Sequence, residues 1–302
     1  MAETRRFAGI MPPLVTPLDA AGEPDAGGMR RFVDHAIAGG VNGLVVLGSS
    51  GEAALLTPSQ RRRALELAVD AAAGRVPVVA GTGEPGTAQA AETTRQAREL
   101  GAAAAIVVPP FYYQIDQDAI RRHYRTVREA SGLPLLAYHI PGLTKAPVQT
   151  ETLLALAEEG TLVGMKDSGG DFGYYQRAVD GTRRLEHFAA LQGSDAFLFA
   201  GLAYGGDGAI SVMSQVAPRV MVALYAAGAA GDWERARAMH RRYQQIATAV
   251  GPGWIPAIKG ALSALGICGP DVAAPNLPLP PESLAAQRER VLAAQAEGLF
   301  DA

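Results

Sequence analysis

Short apolar runs rich in Val, Ile and Leu recur along the chain at 7–16, 43–48, 76–81, 104–109, 134–139, 162–166, 187–192 and 208–213. Each is continuous rather than alternating and is bounded by Gly or Pro, the pattern of a strand buried on both faces. Longer segments of helical period separate them, at 27–39, 58–73, 86–100, 116–131, 149–159, 171–183, 194–204 and 215–229. In 58–73, Ala64, Leu65, Ala68, Val69 and Ala72 fall at three- and four-residue spacing, with Arg and Glu opposite. Thr57-Pro58 ahead of them supplies an N-cap and a first-turn proline. Eight strands alternating with eight helices predict an α/β fold, a closed (β/α)8 TIM barrel over residues 1–229; a doubly wound open sheet is the alternative. Residues 230–302 carry helical patterns alone, at 232–250, 255–266 and 283–297, and predict a C-terminal helical extension packed on the barrel. Pro270 to Pro281 reads as a linker within it.

Composition narrows the possible partners. Net charge is −3, and the longest basic run is Arg61-Arg62-Arg63, which reads as a solvated helix face, so nucleic acid is not expected. The single cysteine, Cys268, allows no disulfide framework and no thiolate zinc site. His35, His123, His139, His187 and His240 are scattered without metal-ligand spacing. No apolar run reaches the roughly 18 residues of a membrane helix. Met1 to Arg6 is polar and lacks the apolar segment of a signal peptide. The expectation is a cytoplasmic protein without metal, organic cofactor or membrane partner.

In such a barrel, chemistry sits at the C-terminal ends of the strands. Strand 2 ends in Gly48-Ser49-Ser50-Gly51-Glu52, strand 3 in Gly81-Thr82-Gly83-Glu84, and strand 4 runs into Pro109-Pro110-Phe111-Tyr112-Tyr113. Strand 5 ends in Tyr138-His139-Ile140-Pro141, strand 6 in Lys166-Asp167, strand 7 in Gly193-Ser194-Asp195, and strand 8 carries Ile210-Ser211. Lys166 closes an apolar strand, where an ammonium is costly to bury; desolvation there favours the neutral, nucleophilic amine. The competing reading is a lysine that snorkels to the rim or pairs with Asp167. Tyr138, one strand earlier at the same level, is a phenol able to relay protons to and from a lysine adduct. The Gly48–Gly51 loop offers backbone N–H groups and two hydroxyls to an anion, although a glycine loop alone is also an ordinary turn. Neither glycine loop continues into Gly-Lys-Ser or Gly-Lys-Thr, and no Gly-x-Gly-x-x-Gly opens the first helix, so nucleotide sites are unsupported.

These residues, in this order, resemble the dihydrodipicolinate synthase / N-acetylneuraminate lyase family of Schiff-base-forming class I pyruvate aldolases. The likeness runs through Pro13-Leu14-Val15-Thr16-Pro17, the Gly48 to Glu52 loop, Gly81-Thr82-Gly83, Tyr138 to Pro141, Gly164 to Lys166, Gly205 to Ser211 and the Pro256 to Lys259 helix. It implies that Lys166 forms an imine with pyruvate or another 2-keto acid and that Tyr138 shuttles protons. It gives Ser49 a place in the proton relay and gives Ser49 and Ser50 the keto-acid carboxylate. Tyr112 matches a tyrosine that reaches towards a neighbouring subunit's site, and the resemblance implies a homo-oligomer, tetramer or dimer. Gly193 and Ile210 match pocket-lining positions.

The departures bear on substrate. In the synthase branch an arginine stands five residues after the catalytic tyrosine; here it is Leu143, which cannot replace a guanidinium fork. Leu143 and Pro110-Phe111-Tyr112-Tyr113 look more like the neuraminate lyase and sugar-acid aldolase branches. Pro85 and Gln89 replace the asparagine and glutamate of lysine-inhibited synthases. His139 and Lys145 replace a commoner asparagine and glycine; either has a place near substrate as the alternative, and a local hydrogen bond or solvated surface charge is the preferred reading, while Glu52 and Glu84 read as structural, bonding their own loops. The expectation is cleavage of a 2-keto-3-deoxy sugar acid without any cofactor, with Gly48 in the carboxylate loop and Asp195 and Ser211 near the distal hydroxyls. A dehydratase, the synthase reaction itself, and a non-catalytic keto-acid-binding barrel are the alternatives.

Overall fold

The eight apolar runs become eight short strands in the computed structural model, which describes residues 7–302; Met1 to Arg6, read as lacking a signal peptide, lies outside the described residues. The alternation begins β1 (Gly9–Met11), α1 (Ala26–Ala38), β2 (Leu44–Val46), α2 (Pro58–Ala72), β3 (Val78–Gly81), α3 (Thr87–Glu99), β4 (Ala104–Val107), α4 (Gln117–Ser131). It continues β5 (Leu135–His139), α5 (Pro141–Thr144), α6 (Thr150–Glu158), β6 (Leu162–Asp167), α7 (Phe172–Thr182), β7 (Ala189–Gln192), α8 (Asp195–Ala203), β8 (Gly208–Ile210) and α9 (Pro218–Ala229). Three further helices follow, α10 (Trp233–Val250), α11 (Trp254–Ala264) and α12 (Pro281–Ala296).

The strands form one sheet in the order β1-β8-β7-β6-β5-β4-β3-β2. The ladders from β3 through β8 are all parallel. Just past β1, a parallel bridge between Pro13 and Val45 links the chain to β2, so the ring closes as a (β/α)8 barrel. The first run is the most fragmented: Pro12 and Pro13 have no N–H, and that stretch contributes instead the Pro12 carbonyl to Val45 N (2.9 Å) and Leu14 N to the Val45 carbonyl (2.8 Å). Every residue of β5 is buried, as a strand covered on both faces requires. Thr57 caps α2 through a capping box with Gln60, and Pro58 occupies its first turn.

Two departures from the sequence reading matter for the site. The strand run 43–48 ends at Val46, because Leu47 turns left-handed (φ 62°). The short helix α5, carrying Leu143, was not expected; Pro141 at its first turn starts it, and Lys145 (φ 58°) ends it.

Two compact units divide the chain. One comprises Pro77–Ile210 with the chain up to Gly9, and carries β3 to β8; the other comprises Ile10–Val76 and Ser211–Ala302, and carries α1, α2 and α9 to α12. Among the described residues no helix is long and apolar enough to cross a membrane.

Candidate active site

In the first unit, β5 and β6 run parallel in a register that sets Tyr138 against Lys166 and His139 against Asp167. Residues facing each other across a ladder present their side chains to the same face. Lys166 Nζ accordingly stands 3.1 Å from the Tyr138 hydroxyl and 4.2 Å from the centre of its ring. Both side chains are 5% exposed, so the amine and phenol meet away from bulk water. In this geometry an amine can attack a carbonyl while a phenol one hydrogen bond away carries protons.

The neighbours on the alternate face form a different group. Asp167 does not pair with Lys166: its Oδ1 accepts the Gly169 N–H at 2.9 Å, and burial pushes its carboxyl up to about 6, with Asp171 adding to the rise. His139 stacks on Tyr174 (ring centres 4.1 Å apart), and its Nδ1 accepts the Val148 N–H at 3.3 Å, so the neutral ring carries its proton on Nε2. Burial pushes this imidazole down to about 4. Gly193 closes over the end of β6: its N–H donates to the Asp167 carbonyl at 2.7 Å, and a Cβ there would lie 2.1 Å from Ser168 Oγ. Asp195 begins α8, and Ile210 is fully buried at the end of β8.

In the second unit, the loop after β2 is strained at both ends, at Leu47 (φ 62°) and Glu52 (φ 58°). Gly48 and Ser49 are partly exposed and Ser50 is buried. Gly51 is tightly packed, since a Cβ would meet Leu47 N at 3.0 Å and the Leu14 carbonyl at 3.1 Å and would make backbone neighbours give way. Thr16 Oγ1 donates to the Gly51 carbonyl at 2.7 Å, and the Trp254 indole N–H reaches Ser50 Oγ at 3.3 Å. Glu52 is structural, but its partners are remote rather than in its own loop. It forms an ion pair with Lys259 of α11 (2.5 Å, both side chains 0% exposed). Its Oε1 also accepts the Ala273 N–H (2.8 Å) and Asn276 Nδ2 (3.2 Å). The Pro270 to Pro281 stretch is therefore a segment tied to Glu52, beyond a simple linker. Ser211 is fully buried, and its Oγ accepts the Ser214 N–H at 3.2 Å, bracing the turn after β8.

Residues 6–295 match the Dihydrodipicolinate synthetase family. The chain belongs to this family of lyases. It is 39% identical over 297 residues to a 4-hydroxy-tetrahydrodipicolinate synthase of Phenylobacterium zucineum, covering 97% of this chain and 98% of the relative. It is 41% identical over 271 residues to an uncharacterized DapA-like lyase of Halobacterium salinarum, covering 90% and 88%. Among solved structures it resembles YagE, a prophage protein of the dihydrodipicolinic acid synthase family from E. coli K12 in complex with pyruvate, with TM-score 0.89, 30% identity and coverage of 96% and 99%.

For this dihydrodipicolinate synthetase family member, two of the positions named for partner and substrate contacts, Tyr112 and Leu143, are exposed, whereas Ser50, Ile210 and Ser211 are buried. Tyr112 adopts φ 82° and is 85% exposed, with Tyr113 packed edge-on at 5.0 Å. Leu143 is 58% exposed on α5, and Lys145 Nζ turns back to the Gly142 carbonyl at 2.9 Å, a local bond. Sequence reading passed over Trp254 and the Lys259–Glu52 pair. The available signals were a lysine inside the apolar pattern Ile255, Ile258, Ala261, Leu262 and a tryptophan straight after Gly251-Pro252-Gly253.

Proposed function

We propose that this chain is a class I lyase that holds a 2-keto acid as an imine on Lys166 and cleaves or forms a 2-keto-3-deoxy sugar acid, or a related hydroxylated 2-keto acid, with pyruvate as the keto-acid partner. The observation that carries the reading is the buried contact of 3.1 Å between Lys166 Nζ and the Tyr138 hydroxyl. The free amine adds to the keto carbon, and Tyr138 gives its proton to the departing water, leaving a protonated imine and a phenolate. The imine is an electron sink. The phenolate takes the proton of the C4 hydroxyl, the C3–C4 pair moves towards the imine, and an aldehyde leaves. Tyr138 returns that proton to C3 of the enamine; water then adds to the imine carbon, giving its proton to the phenolate, and pyruvate is released. The loop hydroxyls of Ser49 and Ser50 hold the carboxylate in this reading, and a dimer or tetramer is part of it, supported by the exposure of Tyr112.

Support for an aldehyde partner without a second carboxylate comes from Leu143, an isobutyl group where the synthase branch has a guanidinium. A second reading, the 4-hydroxy-tetrahydrodipicolinate synthase reaction, is favoured by the name of the Phenylobacterium relative at 39% identity. Borohydride reduction with pyruvate, read by intact mass and peptide mapping beside Lys166→Ala, tests the shared chemistry. An adduct on Lys166, absent from the variant, is expected; no adduct with pyruvate or with longer 2-keto acids overturns the mechanism. Mass spectrometry of products then divides the substrates: pyruvate plus an aldehyde marks the aldolase, and a keto acid of unchanged carbon count that has lost water marks a dehydratase.

A further inference from the structure

Trp254 combines three features that the barrel does not demand. It is a large aromatic in a left-handed backbone conformation (φ 41°), its side chain remains 45% exposed, and its indole N–H lies 3.3 Å from Ser50 Oγ. Bulky residues seldom adopt positive φ, and they persist there only where the surroundings over-determine them. The surroundings here are specific. Two residues beyond Ser50, Glu52 is locked to Lys259, five residues beyond Trp254, by a fully buried ion pair of 2.5 Å. The same two segments are thus joined twice, once by a buried anchor and once by the indole at the lip of the loop.

The hydrogen-bond inventory gives this second joint a direction. An indole nitrogen only donates, whereas a serine hydroxyl has one proton and two lone pairs. Ser50 Oγ is therefore the acceptor, and its own proton remains to be donated. We propose that Trp254 is a positioning residue of the keto-acid site: its N–H fixes Ser50 Oγ as an acceptor so that the Ser50 O–H donates to the substrate carboxylate. This rests on the proposed role of Ser50, and it assigns to α11 a part in binding the keto acid. The exposed indole is also a reporter, because a carboxylate drawing on the Ser50 proton changes the polarity at the indole nitrogen.

Three variants and one probe, pyruvate, test it. Trp254→Phe keeps an aromatic ring and removes the donor. Trp254→His restores one, since histidine Nε2 occupies the ring position of indole Nε1, and histidine tolerates positive φ better than most residues. Trp233→Phe removes the other of the two tryptophans and leaves Trp254 as the sole tryptophan, read by excitation at wavelengths that tyrosine does not absorb. Trp254→Phe is expected to need about fivefold more pyruvate for half-maximal borohydride trapping, the worth of one ordinary hydrogen bond, with the maximum extent unchanged. Trp254→His should recover most of that shift, and in Trp233→Phe the emission of Trp254 should change with pyruvate over the same concentration range as trapping. Trapping in Trp254→Phe with the unaltered pyruvate dependence, or emission indifferent to pyruvate while trapping proceeds, overturns the inference and leaves the Schiff-base reading standing. No adduct even in the unaltered protein overturns the Schiff-base reading instead, and the emission titration then decides the Trp254 contact by itself. If neither Trp254 variant folds, that same titration in Trp233→Phe still decides.

Discussion

Removing the charge of Lys259 tests whether the loop after β2 depends on its buried anchor. Lys259→Met keeps the length and apolar character of the stem but leaves Glu52 buried as an unpaired carboxylate. Breaking a buried ion pair from one side costs about 3–5 kcal/mol, because the surviving charge keeps its desolvation penalty. Glu52 retains the Ala273 N–H at 2.8 Å and Asn276 Nδ2 at 3.2 Å, which places the cost towards the lower end. The Asp271 carbonyl loses its 2.6 Å bond from Nζ, which pushes it back up. With about 2.1 cal/mol/K of unfolding entropy per residue, a chain of 302 residues has roughly 0.6 kcal/mol/K, so the melting temperature should fall by about 5–8 °C. Calorimetry at neutral pH reads this directly. Glu52→Gln added to Lys259→Met should recover at least half the loss, since the amide oxygen still accepts both remaining bonds and no charge is left buried. A single variant that melts within about 1 °C of the parent, or a double variant that loses the sum of both single costs, would refute the account of Glu52 and Lys259 as one coupled unit.

Other perturbations separate the remaining roles. Tyr138→Phe should lower kcat by about 10²–10³ while a pyruvyl adduct still accumulates on Lys166 under borohydride, because in the proposed mechanism the phenol moves protons and the amine makes the bond. Asp167→Asn addresses the carboxyl held near 6 by burial. A folded-state value above the ordinary 3.8 means that its stabilisation is present at low pH and lost as pH rises through 6, so the variant should be more stable at pH 7.5, by about 2–3 kcal/mol, and equal near pH 4 in urea titrations. His139, held near 4, acts with the opposite sign: its contribution is whole above 6.5 and is lost as pH falls towards 4. Gly193→Ala sets a Cβ 2.1 Å from Ser168 Oγ and 2.7 Å from the Asp167 carbonyl, and should cost about 1–3 kcal/mol in denaturant titrations. Leu143→Arg should improve kcat/KM for pyruvate with aspartate semialdehyde by about tenfold to a hundredfold, the worth of a charge-assisted hydrogen bond; no gain would remove Leu143 as the reason to prefer a sugar-acid substrate.

Much of the barrel was legible because a strand buried on both faces must be apolar throughout, so 134–139 and 162–166 stand out without any partner being known. The meeting of Lys166 and Tyr138 was legible for the converse reason: a lysine that ends such a run conflicts with its surroundings, which drew attention to the tyrosine at the same level of the preceding strand. The anchor was not legible, although Lys259 breaks an apolar helix in the same way, because its partner Glu52 stands 207 positions earlier and no local period connects them. Glu52 was assigned to its own loop by proximity in sequence, and tertiary pairing overrode that. Substrate choice was less legible still, since the residue proposed to bear on it, Leu143, is 58% exposed and the chain pattern does not constrain its neighbours.

The geometry of the loop after β2 follows from the balance between its strain and its ties. Leu47 and Glu52 both hold left-handed backbone, a state that costs about 1–3 kcal/mol for each non-glycine residue. Within the loop the only tie among the described hydrogen bonds is the Glu52 N–H to the Ser49 carbonyl at 3.2 Å, and Gly48 and Ser49 are partly exposed. The compensation comes from outside it: Thr16 Oγ1 on the Gly51 carbonyl, Lys259 on the Glu52 carboxylate, and the backbone at Ala273 on the same carboxylate. All three are made without a ligand. In the proposed reading, a carboxylate arriving at Ser49 and Ser50 would therefore not have to order the loop, and its binding energy would not be drawn down by that entropy. The same arrangement explains why a buried charge pair persists where an apolar pair would pack more cheaply: a Leu or Met at position 52 would surrender the bonds to Ala273 and Asn276 along with the charge, and with them the tie between the loop and the segment ahead of α12.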